Sequence, residues 1–199
     1  MEKLIGRNLN ISVFISGRGS NLLSLIKYSK IKKSKIKINL VISDNKFSKG
    51  LEFTKKNKIK YYIIDYSKKR LAEHKILRYL GKNKIDLICL AGFMKILSSG
   101  FIKKFKNPIL NIHPSLLPKY KGLHTHRRAI ENKDKFSGAT VHFVTPKLDS
   151  GKIILQKKVR ILKSDTEKTL AKKVLNIEHK LYPAAIEKFL KNLVLKEKI

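Results

Sequence analysis

The sequence predicts an α/β protein: a Rossmann-like, mostly parallel sheet flanked by helices, with a late antiparallel strand pair. Three observations carry this. Short, nearly continuous apolar runs rich in β-branched residues recur at 10–16, 36–43, 61–64, 86–90 and 108–110. That is the pattern of strands covered on both faces. Stretches with helical spacing separate these runs, which calls for parallel crossovers. Finally, 138–144 and 153–161 come late in the chain with only a turn-rich loop between them.

The chain has 199 residues, of which 42% are hydrophobic, enough for a single folded domain over 1–199 with a loose polar lead-in at 1–9. No apolar stretch approaches a membrane span, and Met1-Glu2-Lys3-Leu4-Ile5-Gly6-Arg7 lacks the apolar region of a secretory signal. Cys89 is the only cysteine, so no intramolecular disulfide forms, which fits a reducing cytoplasm. It lies inside the run Leu87-Ile88-Cys89-Leu90, where a buried thiol is inert. The net charge of +32 invites a nucleic-acid partner, but the lysines are spread as pairs such as Lys55-Lys56, Lys103-Lys104 and Lys172-Lys173. No aromatic residues interleave a basic stripe, and Lys, Ile and Asn are all abundant, as an AT-rich coding sequence produces. Specific nucleic-acid binding is not expected.

The first strand, 10–16, runs into Gly17-Arg18-Gly19-Ser20-Asn21 and then into a helix marked by Leu22, Leu23, Leu25 and Ile26. A strand, a glycine turn and a helix N-terminus together hold a phosphate. The same residues also make an ordinary tight turn. They are not a dinucleotide fingerprint, since Leu22 stands where the third glycine belongs, nor a Walker loop. The second strand, 36–43, ends at Asp44-Asn45, and a short helix is next at 50–56. After strand 61–64, residues 68–80 carry helical spacing at Leu71, Ile76, Leu77 and Leu80. Strand 86–90 ends in Ala91-Gly92-Phe93-Met94-Lys95-Ile96-Leu97. This loop reads either as an apolar wall for a flat aromatic ligand or as core packing of Phe93, Met94, Ile96 and Leu97.

The fifth strand ends near Leu110, and the next stretch is Asn111-Ile112-His113-Pro114-Ser115-Leu116-Leu117-Pro118. The prolines oppose helix and ladder pairing, so Asn111 and His113 are expected in a rigid extended turn beyond the strand. Residues two apart in extended chain point the same way, so an amide donor and a titratable ring could face one reacting atom. A capped strand end with an incidental histidine is the other reading. His124 and His126 form an isolated His-x-His with few acids nearby, so no metal is expected. A helix reaches Asn132, and 145–151 is a turn-rich loop with one acid, Asp149. Ser164-Asp165-Thr166-Glu167 has capping-box spacing for the last helix, whose apolar stripe is Leu170, Val174, Ile177 and Leu181. Pro183 is expected to break or kink it before 184–194, and Glu178 reads by position as a surface residue.

Four stretches together, 15–22, 90–97, 111–120 and 138–156, closely resemble the phosphoribosylglycinamide formyltransferase family over about 10–189. The resemblance implies a Rossmann-like formyltransferase fold and transfer of a formyl group from 10-formyltetrahydrofolate, as co-substrate, to the amine of glycinamide ribonucleotide, without metal. It implies a catalytic set of Asn111, His113 and Asp149. Gly19, Ser20 and Asn21 would hold the substrate phosphate, and Glu178 its ribose, against the surface reading above. Lys69, Met94, Lys95, Ile96, Leu97 and Asn111, with Thr145, Pro146, Lys147, Leu148 and Asp149, would shape the folate pocket. Thr140 stands where the family places a small hydroxyl residue. Lys69 and Lys95 replace arginines, so they offer a point charge instead of a planar fork, and Arg18 replaces the more usual Asn.

In this scheme protonated His113 and the Asn111 amide stabilise the oxyanion of a tetrahedral intermediate, and a carboxylate at Asp149 favours the charged imidazole. Methionyl-tRNA formyltransferase shares the Ser-Leu-Leu-Pro turn but would carry a further C-terminal domain. Formyltetrahydrofolate deformylase would carry an N-terminal one. Neither addition is expected here. The partners expected are small molecules, with no membrane and a monomer or weak homodimer.

Overall fold

In the computed structural model the described residues are 8–196, with side chains described to residue 193. Their strands form one seven-stranded sheet of order β3-β2-β1-β4-β5-β6-β7. β1 (Leu9–Ile15), β2 (Ile36–Ser43), β3 (Lys60–Ile63), β4 (Leu87–Leu90) and β5 (Ile109–His113) are parallel. β6 (Phe136–Phe143) and β7 (Ile153–Arg160) extend the β5 edge in antiparallel fashion. The sequence reading of a mostly parallel sheet with a late antiparallel pair is therefore the observed architecture.

Side-chain alternation along the strands feeds two apolar layers. Leu9, Ile11, Val13 and Ile15 of β1 join Leu87 and Cys89 of β4 on one face. That face is covered by α1 (Ser20–Ser29), α2 (Gly50–Lys56), α5 (Thr125–Glu131) and α6 (Glu167–Lys196). Phe14, Ile88 and Leu90 point the other way, onto α3 (Lys69–Lys82) and α4 (Ser99–Lys104). Cys89 is fully buried, and burial pushes its thiol up to about 12, in keeping with an inert role.

Four local expectations are corrected. β1 begins at Leu9, which is buried, so the loose lead-in does not reach that residue, and 1–7 lie outside the described residues. β5 continues through His113, because Pro114 restricts only its immediate neighbour on that side and favours extended backbone there. Asn111 and His113 are thus ladder residues, not turn residues. The cap of α6 is reciprocal between Thr166 and Thr169, not between Ser164 and Glu167. Of the break or kink expected at Pro183, the break does not occur, because α6 runs through it. Proline removes the N–H that would bond the His179 carbonyl, and the Ser24 hydroxyl of α1 donates to that carbonyl instead.

Beneath α6, the fully buried Tyr182 hydroxyl donates toward the carbonyls of Leu90 and Leu110, each at 3.1 Å. This ties the helix to the end of β4 and the start of β5. Replacing Tyr182 by Phe should cost about 1.5 kcal/mol, which lowers the thermal midpoint by roughly 3–6 °C for a chain of this size. A melt coincident with that of the parent protein would show that the hydroxyl contributes nothing.

Candidate active site

The β5–β6 register decides which polar groups meet. It pairs Asn111 with His142 and His113 with Thr140, while β6–β7 pairs Thr140 with Gln156. All five therefore occupy one face, with Leu110, Ile112, Ala139 and Val141 sent to the α6 side. No helix of the α3–α4 layer lies over this part of the sheet. The turn after β5 and the loop carrying Asp149 cover it instead.

Thr140 is fully buried and saturated. Its hydroxyl donates to the Ser115 carbonyl at 2.6 Å and accepts from the Leu117 N–H at 3.1 Å and from Gln156 Nε2 at 2.7 Å. Gln156 also donates to the Leu117 carbonyl at 3.0 Å. These bonds fix the Pro-Ser-Leu-Leu-Pro turn on the sheet, so Thr140 braces the site from below.

His113 is buried between two oxygens. Nε2 lies 2.8 Å from the Tyr120 carbonyl and Nδ1 lies 3.4 Å from Asp149 Oδ2. Only a ring protonated on both nitrogens donates to both neighbours. Asp149 has a positive φ of 44°, and its Oδ2 accepts the Gly122 N–H at 2.9 Å. Its Oδ1 faces His142 Nε2 at 3.7 Å.

His142 completes the group, and the sequence reading does not single it out. Its Nδ1 is 2.9 Å from the Phe143 carbonyl, which requires the proton there. Nε2 is then the acceptor for Asn111 Nδ2, at 3.2 Å. Burial lowers the pKa of His142 below its ordinary value and keeps the ring neutral, which matches this arrangement. The contact turns the Asn111 amide so that its second N–H is left for another acceptor. The signal available in the sequence is parity: 140 and 142 share a face, but only the register shows that it is the face of 111 and 113.

A second locus lies at the start of α1. Gly19 has φ 72°, and a Cβ there would stand 2.4 Å from Gly50 Cα, so the turn tolerates nothing larger. The Gly17 carbonyl accepts from Ser48 Oγ at 2.7 Å and Gly50 N at 3.2 Å. No side chain caps α1 at Gly19, and the first amides of a helix have no partner within it. Arg18 is exposed and Ser20 half-buried beside them. Asn21 is buried and donates through Nδ2 to Glu178 Oε2 at 2.6 Å, while its Oδ1 has no hydrogen-bond partner. Glu178 is 6% exposed, which overturns its surface reading. The buried stripe of α6 runs Leu170, Val174, Glu178, Tyr182, so the carboxyl sits at its centre. Burial pushes it up to about 7, partly offset by the Asn21 bond.

The loop after β4 links the two loci. Ser16 Oγ accepts the Met94 N–H at 2.8 Å. Core packing holds for Leu97, which is buried, and in part for Phe93, which meets Phe14 and Tyr66 edge-on. It fails for Met94 and Ile96, which are 64% and 62% exposed. Lys95 turns back to Asp44 at 3.6 Å. Thr145, Pro146, Lys147 and Leu148 are exposed on the Asp149 loop. Lys69 begins α3 and is exposed on the wall of a groove between α3 and α4. Among the described residues no group of three or more His, Cys, Asp or Glu is placed to hold a metal, and no helix is long and apolar enough to cross a membrane.

Comparison with known proteins gives a consistent picture. A family model described as formyl transferase matches residues 9–186. Phosphoribosylglycinamide formyltransferase of Escherichia coli (strain K12) is 40% identical over 184 residues, covering 91% of this chain and 87% of that protein. The trifunctional purine biosynthetic protein adenosine-3 of Homo sapiens is 40% identical over 91% of this chain and 18% of its own length. The crystal structure of phosphoribosylglycinamide formyltransferase from Brucella melitensis superposes with a TM-score of 0.88 at 42% identity, covering 92% of this chain and 96% of that one. With the fold, the register and the Asn-x-His-Pro-Ser-Leu-Leu-Pro turn in place, the chain belongs to the formyl transferase family, among the phosphoribosylglycinamide formyltransferases.

Proposed function

We propose that the chain acts as a single formyltransferase domain. It moves the formyl group of 10-formyltetrahydrofolate to the amine of 5'-phosphoribosylglycinamide, giving formylglycinamide ribonucleotide for de novo purine (IMP) synthesis. The observation that carries this reading is His113, buried between the Tyr120 carbonyl and Asp149, with Asn111 turned beside it by His142.

The amine attacks the formyl carbon, and the oxygen of the tetrahedral intermediate takes the negative charge. Protonated His113 and the free Asn111 N–H stabilise that oxygen; one such donor contributes about 3 kcal/mol. Asp149 faces His113 Nδ1 at 3.4 Å and orients the ring, and a proton passes from the attacking amine to the leaving folate nitrogen through a side chain or an ordered water. The α1 amides with Ser20 receive the phosphate, and Glu178 with the unpartnered Asn21 Oδ1 receives ribose hydroxyls. Exposed Met94 and Ile96, with the backbone of 145–148, offer the apolar wall that a pterin suits, and Lys69 and Lys95 supply positive charge for its carboxylate end. The domain would work in the cytoplasm, as its single free cysteine suggests, as a monomer or weak homodimer.

The primary test is formyl transfer by purified protein from 10-formyltetrahydrofolate to glycinamide ribonucleotide. His113→Ala and Asp149→Ala should each lose roughly a hundredfold or more in kcat while keeping the parental circular dichroism. Wild-type turnover in both variants would sink the mechanism.

A second prediction concerns Glu178 and stability. Its native carboxyl keeps a proton up to about pH 7, whereas the unfolded one releases it near 4.5. The native state therefore binds more protons in that window, and stability should fall as pH rises through it, by about 3 kcal/mol in total. Glu178→Gln removes the titration. Urea unfolding from pH 4 to 8 should show the variant gaining on the parent across the window. Parallel profiles would refute the raised carboxyl.

A further inference from the structure

In linear order the cations of this chain are spread out, but the pairing of β6 with β7 gathers a group of them. The Ile161 N–H donates to the Lys135 carbonyl at 3.0 Å, and the register sets Phe136 opposite Arg160 and Gly138 opposite Lys158. Phe136, Lys158 and Arg160 therefore share one face, the face of Thr140 and Gln156, at the outer edge of the sheet. Lys133, Lys135, Lys157 and Lys163 are exposed around them on the same stretches of chain. The nearby acids are committed elsewhere. Asp134 binds Lys119 and the Tyr120 hydroxyl, Asp165 binds Lys173 and the Leu162 N–H, and Glu131 binds Arg127. Among the described residues no carboxylate pairs with Lys133, Lys135, Lys157, Lys158, Arg160 or Lys163. The patch also carries apolar surface. Phe136 is 41% exposed and Leu162 49%, and Lys158 Nζ stands 4.9 Å from the Phe136 ring centroid. Leu116 separates it from the catalytic cluster by packing over Gly138, where a Cβ would stand 2.6 Å from its Cδ2. Phe136 lies roughly 14 Å along β6 from Thr140.

An exposed ring and a guanidinium side by side, with ammonium groups on both flanks, match the chemistry of a single-stranded nucleic acid. Bases stack on aromatic rings and on guanidinium planes whatever their sequence, and lysines neutralise the phosphates. We propose that the β6–β7 edge binds a single-stranded nucleic acid without sequence preference. One base lies on Phe136 and the next beside Arg160, while Lys135, Lys158 and Lys163 take the phosphates. A lipid surface fits less well, because it needs apolar groups that enter it, and Phe136 is held in a paired strand. Binding at this edge does not depend on formyl transfer.

The test is fluorescence anisotropy of a labelled, mixed-sequence RNA dodecamer titrated with the full chain. The parent should bind with a Kd on the order of 1 μM at low salt. Its log K should fall against log salt with a slope of about −2 to −3, which corresponds to roughly three or four neutralised phosphates on a single strand. Lys158→Glu combined with Arg160→Glu should weaken binding about tenfold or more and flatten that slope. Lys172→Glu combined with Lys188→Glu, on exposed positions of α6, changes the net charge equally and should leave affinity within about twofold of the parent. Phe136→Ala should lower affinity about tenfold with the slope unchanged, since a stacked base releases no counter-ion, and Phe136→Tyr should bind like the parent. Circular dichroism melts establish that each variant is folded. Equal losses in both double variants would assign binding to the overall +32 charge and overturn the patch. So would a parent that leaves the RNA free at low salt. If Phe136→Ala bound RNA as the parent does, and inorganic polyphosphate competed as well as unlabelled RNA, the edge would be a plain polyanion site and the nucleic-acid assignment would fall. Vesicles of phosphatidylserine and phosphatidylcholine that bind the parent but not Lys158→Glu with Arg160→Glu, with RNA binding the same in both, would give the edge to a lipid surface instead.

Discussion

The arrangement of the site depends on one constraint, the antiparallel register between β5 and β6. Pairing Asn111 with His142 and His113 with Thr140 gathers four polar side chains on a single face. A slip of β6 by one residue would turn Ala139 and Val141 to that face and drive Thr140 and His142 into the α6 core, while β5 stays held by β4. Two sets of contacts oppose the slip. On one side Ala139 and Val141 are fully buried against α6. On the other, Thr140 and Gln156 hydrogen-bond the Ser115–Leu117 backbone, which no shifted strand could reach. The late antiparallel strands also explain why a site is open here. Each parallel crossover lays a helix on the sheet, whereas β6 and β7 leave one face to be covered by loops.

His142 and Glu178, one at each locus, are displaced by burial in opposite directions because their charged forms have opposite sign. His142 is pushed down and so stays neutral, able to accept from Asn111. Glu178 is pushed up to about 7 in the middle of an apolar stripe. A leucine at that position would pack against Val174 and Tyr182 with no desolvation cost, and packing alone gives no reason for a carboxyl. The strong positive charge of the chain contributes little to either shift. Its lysines are solvated, and for both groups desolvation is the largest cause.

Most of the fold is legible in the sequence because apolar periodicity tracks local geometry. The five parallel strands, the glycine turn and the late pair stand where the patterns of 10–16, 36–43 and 86–90 place them. The misses have physical causes. The proline rule, carried backwards along the chain, ends β5 at Leu110, although Pro114 restricts the residue beside it and not Asn111. A stripe drawn through Ile177 puts Glu178 at the edge, whereas the spacing from Val174 to Tyr182 passes through 178 itself. His142 has no assignment without knowing which strand β6 pairs with, and in what register. Met94 and Ile96 stay open by composition between an exposed apolar wall and core packing, and only tertiary context decides for exposure.

That exposure bears on how the two loci are joined. The loop after β4 has no regular structure to position it. It is held by the Met94 N–H on Ser16 Oγ, by Lys95 on Asp44, and by Ser98 on Glu73. Each anchor lies on a different element: the end of β1, the end of β2 and α3. With its backbone fixed at three points, the loop can present Met94 and Ile96 to solvent without collapsing them onto the core. The Ser16 anchor matters most, because Ser16 immediately precedes the glycine turn and also takes the Asn45 side chain on its carbonyl. A shift of the turn at the α1 terminus must therefore move the apolar loop with it. Rigid coupling of a polar anion-type pocket to an apolar wall is what a two-substrate transfer requires, since the reacting groups gain rate only when both are held in register.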